Sequence, residues 1–208
     1  MSAKRHFGSA ALMVLGALLI AAALALVVSN YFDGLQAQAA SSDALIKIEQ
    51  EMPPAAGEEW KFTSAGEVEI PDYILNPEAE MPTVNVNGYD YIGTLDIPSL
   101  SLPVMSDWSY PLLRVSPCRY YGSAYTGDMV IAAHNYSAHF GTLKNLAPGA
   151  EVAFTDMDGN VFHYEVALIE TLQPYDVDIL LEDGWDLTLF TCTPGGQSRV
   201  TVRCIEES

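Results

Sequence analysis

Apolar residues follow two different patterns along this chain. Residues 8–28, GSAALMVLGALLIAAALALVV, carry no charge, and roughly 20 such residues are what a helix needs to cross the hydrocarbon core of a bilayer. From residue 89 onward the apolar positions come instead in short runs broken by Gly, Pro, Asn and Asp, the texture of an all-β domain. The runs predict strands at 91–97, 102–105, 128–133, 151–155, 161–170, 187–191 and 199–205. In 161–170, Phe162, Tyr164 and Val166 alternate with Val161, His163 and Glu165, which puts His163 on a solvated face and outside any catalytic role. Asp158-Gly159 supplies a tight hairpin between the fourth and fifth runs. The segment 139–149, HFGTLKNLAPG, reads as one short helix ended by Pro148-Gly149, and 110–115 as another. A closed β-barrel of about seven to eight strands with short helices is expected, because closure removes exposed edges.

Between the two regions, residues 29–40 leave the membrane and residues 41–88 are mixed and acidic. The stretch ALIKIEQEM at 44–52 has the makings of a short helix. Pro53, Pro54, Pro71, Pro77 and Pro82 are scattered among Asp and Glu, which opposes compact packing. The chain therefore divides into a tail at 1–7, a transmembrane segment at 8–28, a stalk at 29–88 with segments that lie on the domain, and a catalytic domain at 89–208. Lys4 and Arg5 precede the apolar run, and the next cation is Lys47. That asymmetry keeps the N-terminus in the cytoplasm and sends the rest outside. The alternative is a cleaved signal peptide with Ala37-Gln38-Ala39 as its processing site, but the apolar run is longer than a signal core and the site lies well beyond it.

Charge narrows the partners. The 208 residues include 9 Lys and Arg against 27 Asp and Glu, a formal net charge of -18. Nucleic acid is excluded, since phosphate binding needs clustered cations. The acidic surface also disfavours adsorption to anionic lipid, so membrane attachment rests on the N-terminal helix. Three cysteines, Cys118, Cys192 and Cys204, make an odd count, which in an exported protein points to a reactive thiol. A Cys118–Cys204 disulfide and two buried free thiols are both open.

Cys192 stands where an apolar strand, 187–191, runs into Pro194-Gly195-Gly196. A strand end holds a side chain rigidly and leaves it open to a ligand, although a packed core thiol is the plain alternative. A cysteine nucleophile needs an acid/base partner and a group to stabilise a carbonyl oxyanion. His134 ends the strand in MVIAAHNYSAHF at a comparable rim. Arg199 opens the last strand seven residues after Cys192, on the face opposite Val200 and Val202; taken alone it reads equally as a surface cation.

Thr188-Leu189-Phe190-Thr191-Cys192 resembles the TLxTC signature of sortases. The strand from Gly127 to His134 is similar to the family's histidine strand, and Arg199 matches its arginine. The run from Tyr91 to Pro98, followed by Leu102-Pro103-Val104, is similar to its opening strands. The resemblance spans roughly residues 89–206. It departs from the family at Ala133, where many members have Gly, and residues 41–88 lack the Asp-Pro-aromatic triplet of lidded pilin-polymerising members.

The resemblance implies a mainly β, sortase-like barrel and a transpeptidase of the Gram-positive cell wall. Cys192 would be its nucleophile, His134 its general acid/base and Arg199 its oxyanion and substrate stabiliser. Its partners would be surface proteins bearing an LPXTG-like sorting signal and an amine acceptor, such as a peptidoglycan precursor or another surface protein. Thr191, Asn135 and Trp185 are candidate substrate contacts, with Leu180 and Leu181 weaker ones in the loop before the cysteine strand. No cofactor and no metal ligand are expected. Asp156-Met157-Asp158-Gly159-Asn160 reads as a hairpin turn, since it lacks the frame of a calcium loop, and calcium dependence stays open. The rival readings are a membrane-tethered module that binds without turnover and a cysteine hydrolase that uses water as acceptor.

Overall fold

The computed structural model describes residues 3–54 and 70–207; the part of the expected stalk at 55–69 lies outside the described residues. The chain begins with helix α1, Ala3–Glu51. Its first part, including Leu12, Leu18, Leu24 and Val27, is exposed, and it is long and apolar enough to cross a membrane. The helix does not stop there. Residues 29–51, expected as the start of a stalk with a short helix, continue it without a break and end just before Pro53-Pro54, where a missing N–H and a ring clash oppose further turns. Ala37, Ser41, Ala44 and Ile48 are buried. Their 4–3–4 spacing puts them on one helical face, and three of the four are small, so the helix lies close against the domain. Lys47 Nζ donates to Asp43 Oδ2 at 2.7 Å and to Asn87 Oδ1 at 3.1 Å, and Asn87 Nδ2 donates to Asp43 Oδ2 at 2.9 Å, tying α1 to the first hairpin.

The strands are β1 (Val84–Val86), β2 (Tyr89–Ile97), β3 (Leu100–Met105), β4 (Cys118–Tyr121), β5 (Met129–Ala132), β6 (Glu151–Asp156), β7 (Val161–Leu172), β8 (Leu187–Cys192) and β9 (Arg199–Glu206). They form one sheet in the order β1-β2-β3-β4-β5-β8-β9-β7-β6. Pairing of β2 with β6 closes strands β2 to β9 into an eight-stranded barrel, with β1 added at the side of β2. Most pairings are antiparallel; β3–β4 and β5–β8 run parallel. The barrel interior is filled by Ile92, Leu95, Val104, Met129, Ile131, Phe154, Tyr164, Leu187, Leu189, Val202 and their neighbours. A second apolar layer, which includes Ala44, Ile48, Tyr91, Met105, Leu113 and Cys118, sits between the sheet and α1.

Short helices connect the strands: α2 (Asp72–Leu75), α3 (Tyr110–Leu113) and α4 (Val177–Leu180), with a 3-10 turn at Phe140–Asn145. That turn is shorter than the helix expected at 139–149, and α3 is confined to the first part of 110–115. Strands β1 and β4 were not anticipated. β1 has only three residues, and β4, Cys-Arg-Tyr-Tyr, mixes polar and apolar positions without a buried face of its own. The Asp156–Asn160 segment is a turn built around its own carboxylate: Asp156 Oδ1 accepts from the amides of Asp158 and Asn160, each at 2.9 Å, and Oδ2 accepts from Tyr125 OH at 2.7 Å. Cys118 and Cys204 are buried free thiols; burial pushes each up to about 12, so neither is a nucleophile in the folded chain.

β2 bends at a register shift between Tyr91 and Gly93. Gly93 has φ of 153°, and a Cβ there would lie 2.0 Å from the Thr155 carbonyl oxygen of β6. The barrel therefore closes across a position that tolerates no side chain. Gly93→Val is expected to destabilise the domain by about 2–4 kcal/mol, measurable as a lowered thermal midpoint; an unchanged midpoint would mean the closure can shift to admit it.

Candidate active site

The barrel wall presents two faces, and the inward one is used up by the core. Met129, Ile131, Leu187, Leu189 and Val202 point inward, so period-2 alternation sends Val130, Ala132, Thr188, Phe190, Cys192, Arg199, Thr201 and Arg203 outward. The parallel β5–β8 pairing sets Met129 against Leu187 and Ala132 against Phe190. Continued two residues further, that register places His134 beside Cys192, and the ladder does continue: the Ala133 amide donates to the Phe190 carbonyl at 3.2 Å. On the other side Cys192 pairs directly with Arg199 in the antiparallel β8–β9 ladder. His134, distant in sequence, thus shares one outer face with Cys192 and Arg199 at one height of the barrel.

These residues line one groove of about 170 Å³. Its walls are apolar and aromatic: Trp108, Tyr110, Leu113, Tyr120, Phe190, Val177 and Leu180 line it together with Ala133, Thr191 and the Cys192–His134–Arg199 trio. The Tyr120 and Phe190 rings meet edge to face at 5.4 Å, and Trp108 lies 4.9 Å from Tyr120, so this wall is a packed aromatic row. Cys192 and His134 are partly exposed. Burial is the main cause that holds His134 below the ordinary histidine range; the Arg114 charge adds to this and Asp33 opposes it. Arg199 Nη1 donates to the carbonyls of Gly196 at 3.2 Å and Ser198 at 3.1 Å. The β8–β9 loop thereby orients the guanidinium and leaves most of its five donors unused. Chemically, the arrangement offers a thiol, an imidazole and a fixed cation around an apolar trough able to take an extended peptide.

The other candidates separate. Thr191 Oγ1 donates to the Ala133 carbonyl at 2.7 Å, so this buried hydroxyl joins the strands that carry Cys192 and His134. Asn135 is exposed and Trp185 and Leu181 line a different recess, whereas Leu180 does line the groove. His163 lies on the exposed face of β7, paired with Ala153. The groove also contains aromatic residues that the motifs did not single out. Phe190 was readable, since it lies two residues before Cys192 on the same face; Trp108, Tyr110 and Tyr120 arrive from a loop and a strand that periodicity does not reveal.

Arg203 holds the groove's outer wall. It is 0% exposed, lies on the same face as Arg199, and donates from Nε to Glu170 Oε1 at 2.9 Å, from Nη1 to the Leu180 carbonyl at 2.8 Å and Thr188 Oγ1 at 3.1 Å, and from Nη2 to the Ile179 carbonyl. Its guanidinium also lies 5.9 Å from the Trp185 ring. One buried cation thus pins the end of α4, with Val177 and Leu180, to the barrel.

A thiol, an imidazole and a guanidinium on neighbouring barrel strands, beside an apolar groove, form the kind of centre used for acyl transfer through cysteine. Residues 95–207 match the Sortase domain family model, which is more than half of the chain, and the chain belongs to the sortase family, a family of cysteine transpeptidases. The fold is similar to sortase A from Corynebacterium diphtheriae in a lid-mutant form, at 25% identity over 64% of this chain and 75% of that one, with a TM-score of 0.50. A pilus-related sortase C of Group B Streptococcus gives 25% identity, 60% and 70% coverage, and a TM-score of 0.50. A Clostridium perfringens sortase D5 transpeptidase shares the fold at 23% identity, 66% and 88% coverage, and a TM-score of 0.51. No curated protein matches the chain.

Arg203→Met should release α4, speeding amide exchange over Val177–Leu180 and lowering stability by about 3 kcal/mol, because the Leu180 and Ile179 carbonyls and the Thr188 hydroxyl lose their donor. Glu170→Gln keeps an acceptor and should cost less than about 1 kcal/mol. Equal exchange at α4 in wild type and Arg203→Met would remove the pinning role.

Proposed function

We propose that this chain cleaves an LPXTG-like sorting signal and joins the released carboxyl end to an amine at the cell surface. The observation that carries the reading is the register: the β5–β8–β9 ladders bring His134, Cys192 and Arg199 to one face at one height, along an apolar groove.

In the first step the Cys192 thiolate attacks the carbonyl carbon of the signal's threonine. The S–C bond forms, the C–N bond of the following residue breaks, and His134 delivers a proton to the departing amine. Arg199 donates to the carbonyl oxygen as it gains charge, and charged donors are the strong ones. In the second step an acceptor amine attacks the thioester, His134 takes its proton, and the thiolate of Cys192 leaves. One amide is exchanged for another, so the scheme calls for no cofactor, and two easier steps replace one difficult one. Val177, Leu180 and Phe190 offer apolar contact to the signal, and Thr191 supports the geometry without touching it.

In the same reading α1 is a single-pass anchor with its N-terminus in the cytoplasm and the barrel outside. The donor, a surface protein still held by its own membrane segment, and an acceptor such as a peptidoglycan precursor or another surface protein would share that surface with the enzyme.

The test uses the full chain in detergent, mixed LPXTG-like peptides and an oligoglycine amine, read by intact mass. A thioester adduct and ligated peptide are expected, both lost in Cys192→Ala and reduced by roughly 100-fold or more in His134→Ala and Arg199→Ala. Cleavage without ligation at saturating amine would turn the reading towards a hydrolase. No adduct with any peptide, together with unselective thiol labelling, would leave a binding module.

The acid limb of kcat/KM should lie below pH 6.5, because burial and Arg114 disfavour the His134 imidazolium. Arg114→Ala removes a like charge, raises that pKa and should move the limb to higher pH. A limb that stays put in Arg114→Ala would detach it from His134.

A further inference from the structure

The loop that follows His134 is packed against the membrane-anchor helix rather than against solvent. It is a closed knot: the Phe140 amide donates to the His134 carbonyl at 3.1 Å, and the His139 and Gly141 amides each donate to the Tyr136 carbonyl at 2.9 Å. A Cβ on Gly141 would come within 2.6 Å of the Asn135 carbonyl oxygen, so the knot is already at its tightest. Tyr136 occupies its middle. Its ring lies 5.0 Å from that of His134 and 5.8 Å from that of His139.

Two residues of α1 grip this knot. A Cβ on Gly34 would stand at ordinary contact distance, 3.9 Å, from Tyr136 Cδ1, so the aromatic ring faces the helix at this position and leaves no room for a side chain longer than a methyl pointing the same way. About two turns on, Ser41 Oγ donates to the Val115 carbonyl at 3.0 Å and lies 3.1 Å from His139 Nε2. The serine has spent its only hydrogen, so Nε2 is the donor of that bond and His139 is in the neutral Nε2–H form. His139 is 0% exposed, and among the described residues its Nδ1 has no partner. A neutral ring there adds no positive charge beside His134. Desolvation is the main reason it stays neutral, holding it down to about 4.

We propose that the extramembrane half of the anchor helix is part of the catalytic apparatus: Gly34 and Ser41 hold Tyr136 and His139, which act as positioning residues for His134. This rests on the acyl-transfer reading above for its effect on turnover. The alternative is that α1 docks only to stabilise the barrel, through Ala44 and Ile48. The contacts divide along the helix, because those two side chains pack in the apolar layer with Tyr91 and Met105, whereas Gly34 and Ser41 meet the histidine loop. The groups that surround His134 electrostatically are Arg114, Asp33, His139, Cys192 and Arg199, and Asp33 comes from α1 itself.

The test keeps the full chain in nanodiscs. Gly34→Phe puts a ring where Tyr136 rests, and Ser41→Val removes both bonds of the hydroxyl. Each is expected to lower kcat for ligation by about 10- to 100-fold, the scale of a small misplacement of a reacting group, with KM changed by less than about threefold. Gln36→Phe adds the same bulk on the exposed face of the helix and should leave kcat at the wild-type value. A second readout needs no sorting peptide: the pH dependence of Cys192 alkylation by iodoacetamide, followed by mass. Asp33→Asn should shift its acid inflection to lower pH, and Gly34→Phe should shift or flatten it. Variants that lower only the thermal midpoint, with kcat and the alkylation profile unchanged, would overturn the proposal. If the wild type ligates nothing but its alkylation profile moves with these substitutions, the acyl-transfer reading fails and the coupling of α1 to His134 stands.

Discussion

The site depends on one backbone constraint, the parallel ladder between β5 and β8. A parallel pair has a fixed register, and here residue n of β5 lies beside residue n + 58 of β8. Continued two residues past the end of β5, that offset puts His134 alongside Cys192, the last residue of β8, without any bond between their side chains. The antiparallel β8–β9 ladder adds Arg199 by direct opposition. A slip of one residue in either ladder would turn a side chain into the core, because strand side chains alternate faces. The apolar residues between the site residues prevent the slip: Ile131, Leu189 and Val202 are each 0% exposed, and shifting them outward would cost about 2 kcal/mol apiece. The core sets the register, and the register sets the site. Thr191 strengthens the same seam by donating across it to Ala133.

Much of this was legible in the sequence, and the boundary of legibility is physical. The seven expected strands all exist, because each carries a run that periodicity can detect, and the Cys192–His134–Arg199 grouping follows from strand ends and the TLxTC-like run. β1 and β4 were not legible: their pairing with longer neighbours stabilises them, and their own pattern is too short to reveal it. The groove walls were half legible. Phe190 and Arg203 follow from counting by twos from Cys192 and Arg199, but Trp108 and Tyr110 depend on how the chain between β3 and β4 folds back. Trp185, expected near the substrate, packs against the Arg203 guanidinium instead, a contact that needs the whole α4 loop in place.

The clearest difference between pattern and structure is α1. The prolines and acids after residue 52 give the region beyond the apolar run the composition of a stalk, yet residues 29–51 continue the helix. The buried set Ala37, Ser41, Ala44 and Ile48 was present at helical spacing, but three of its four members are too small or too polar to register as an apolar stripe. Small residues are what a helix needs to approach a sheet closely, so the feature that makes the docking tight also hides it from a hydrophobicity reading.

A continuous helix from bilayer to barrel has a geometric consequence that a flexible stalk would not. From Val28, the last residue of the uncharged run, to Gly34 is six residues, a rise of about 9 Å along the helix axis. Gly34 faces the Tyr136 ring, and that ring lies 5.0 Å from the ring of His134. If α1 is the anchor, His134 is held within about one headgroup layer of the hydrocarbon, and its height is set by counting helical residues rather than by a distribution of linker lengths. A donor peptide that is itself tethered at a membrane, and an acceptor carried on a lipid, reach such a site by moving in two dimensions. The effective concentration of tethered reactants is greatest when the span between site and tether is matched and falls as the tether lengthens. On the acyl-transfer reading, the rigid extension of α1 gives the groove one height at which to meet its substrates, and the same turns of helix that set this height also grip the loop that carries His134.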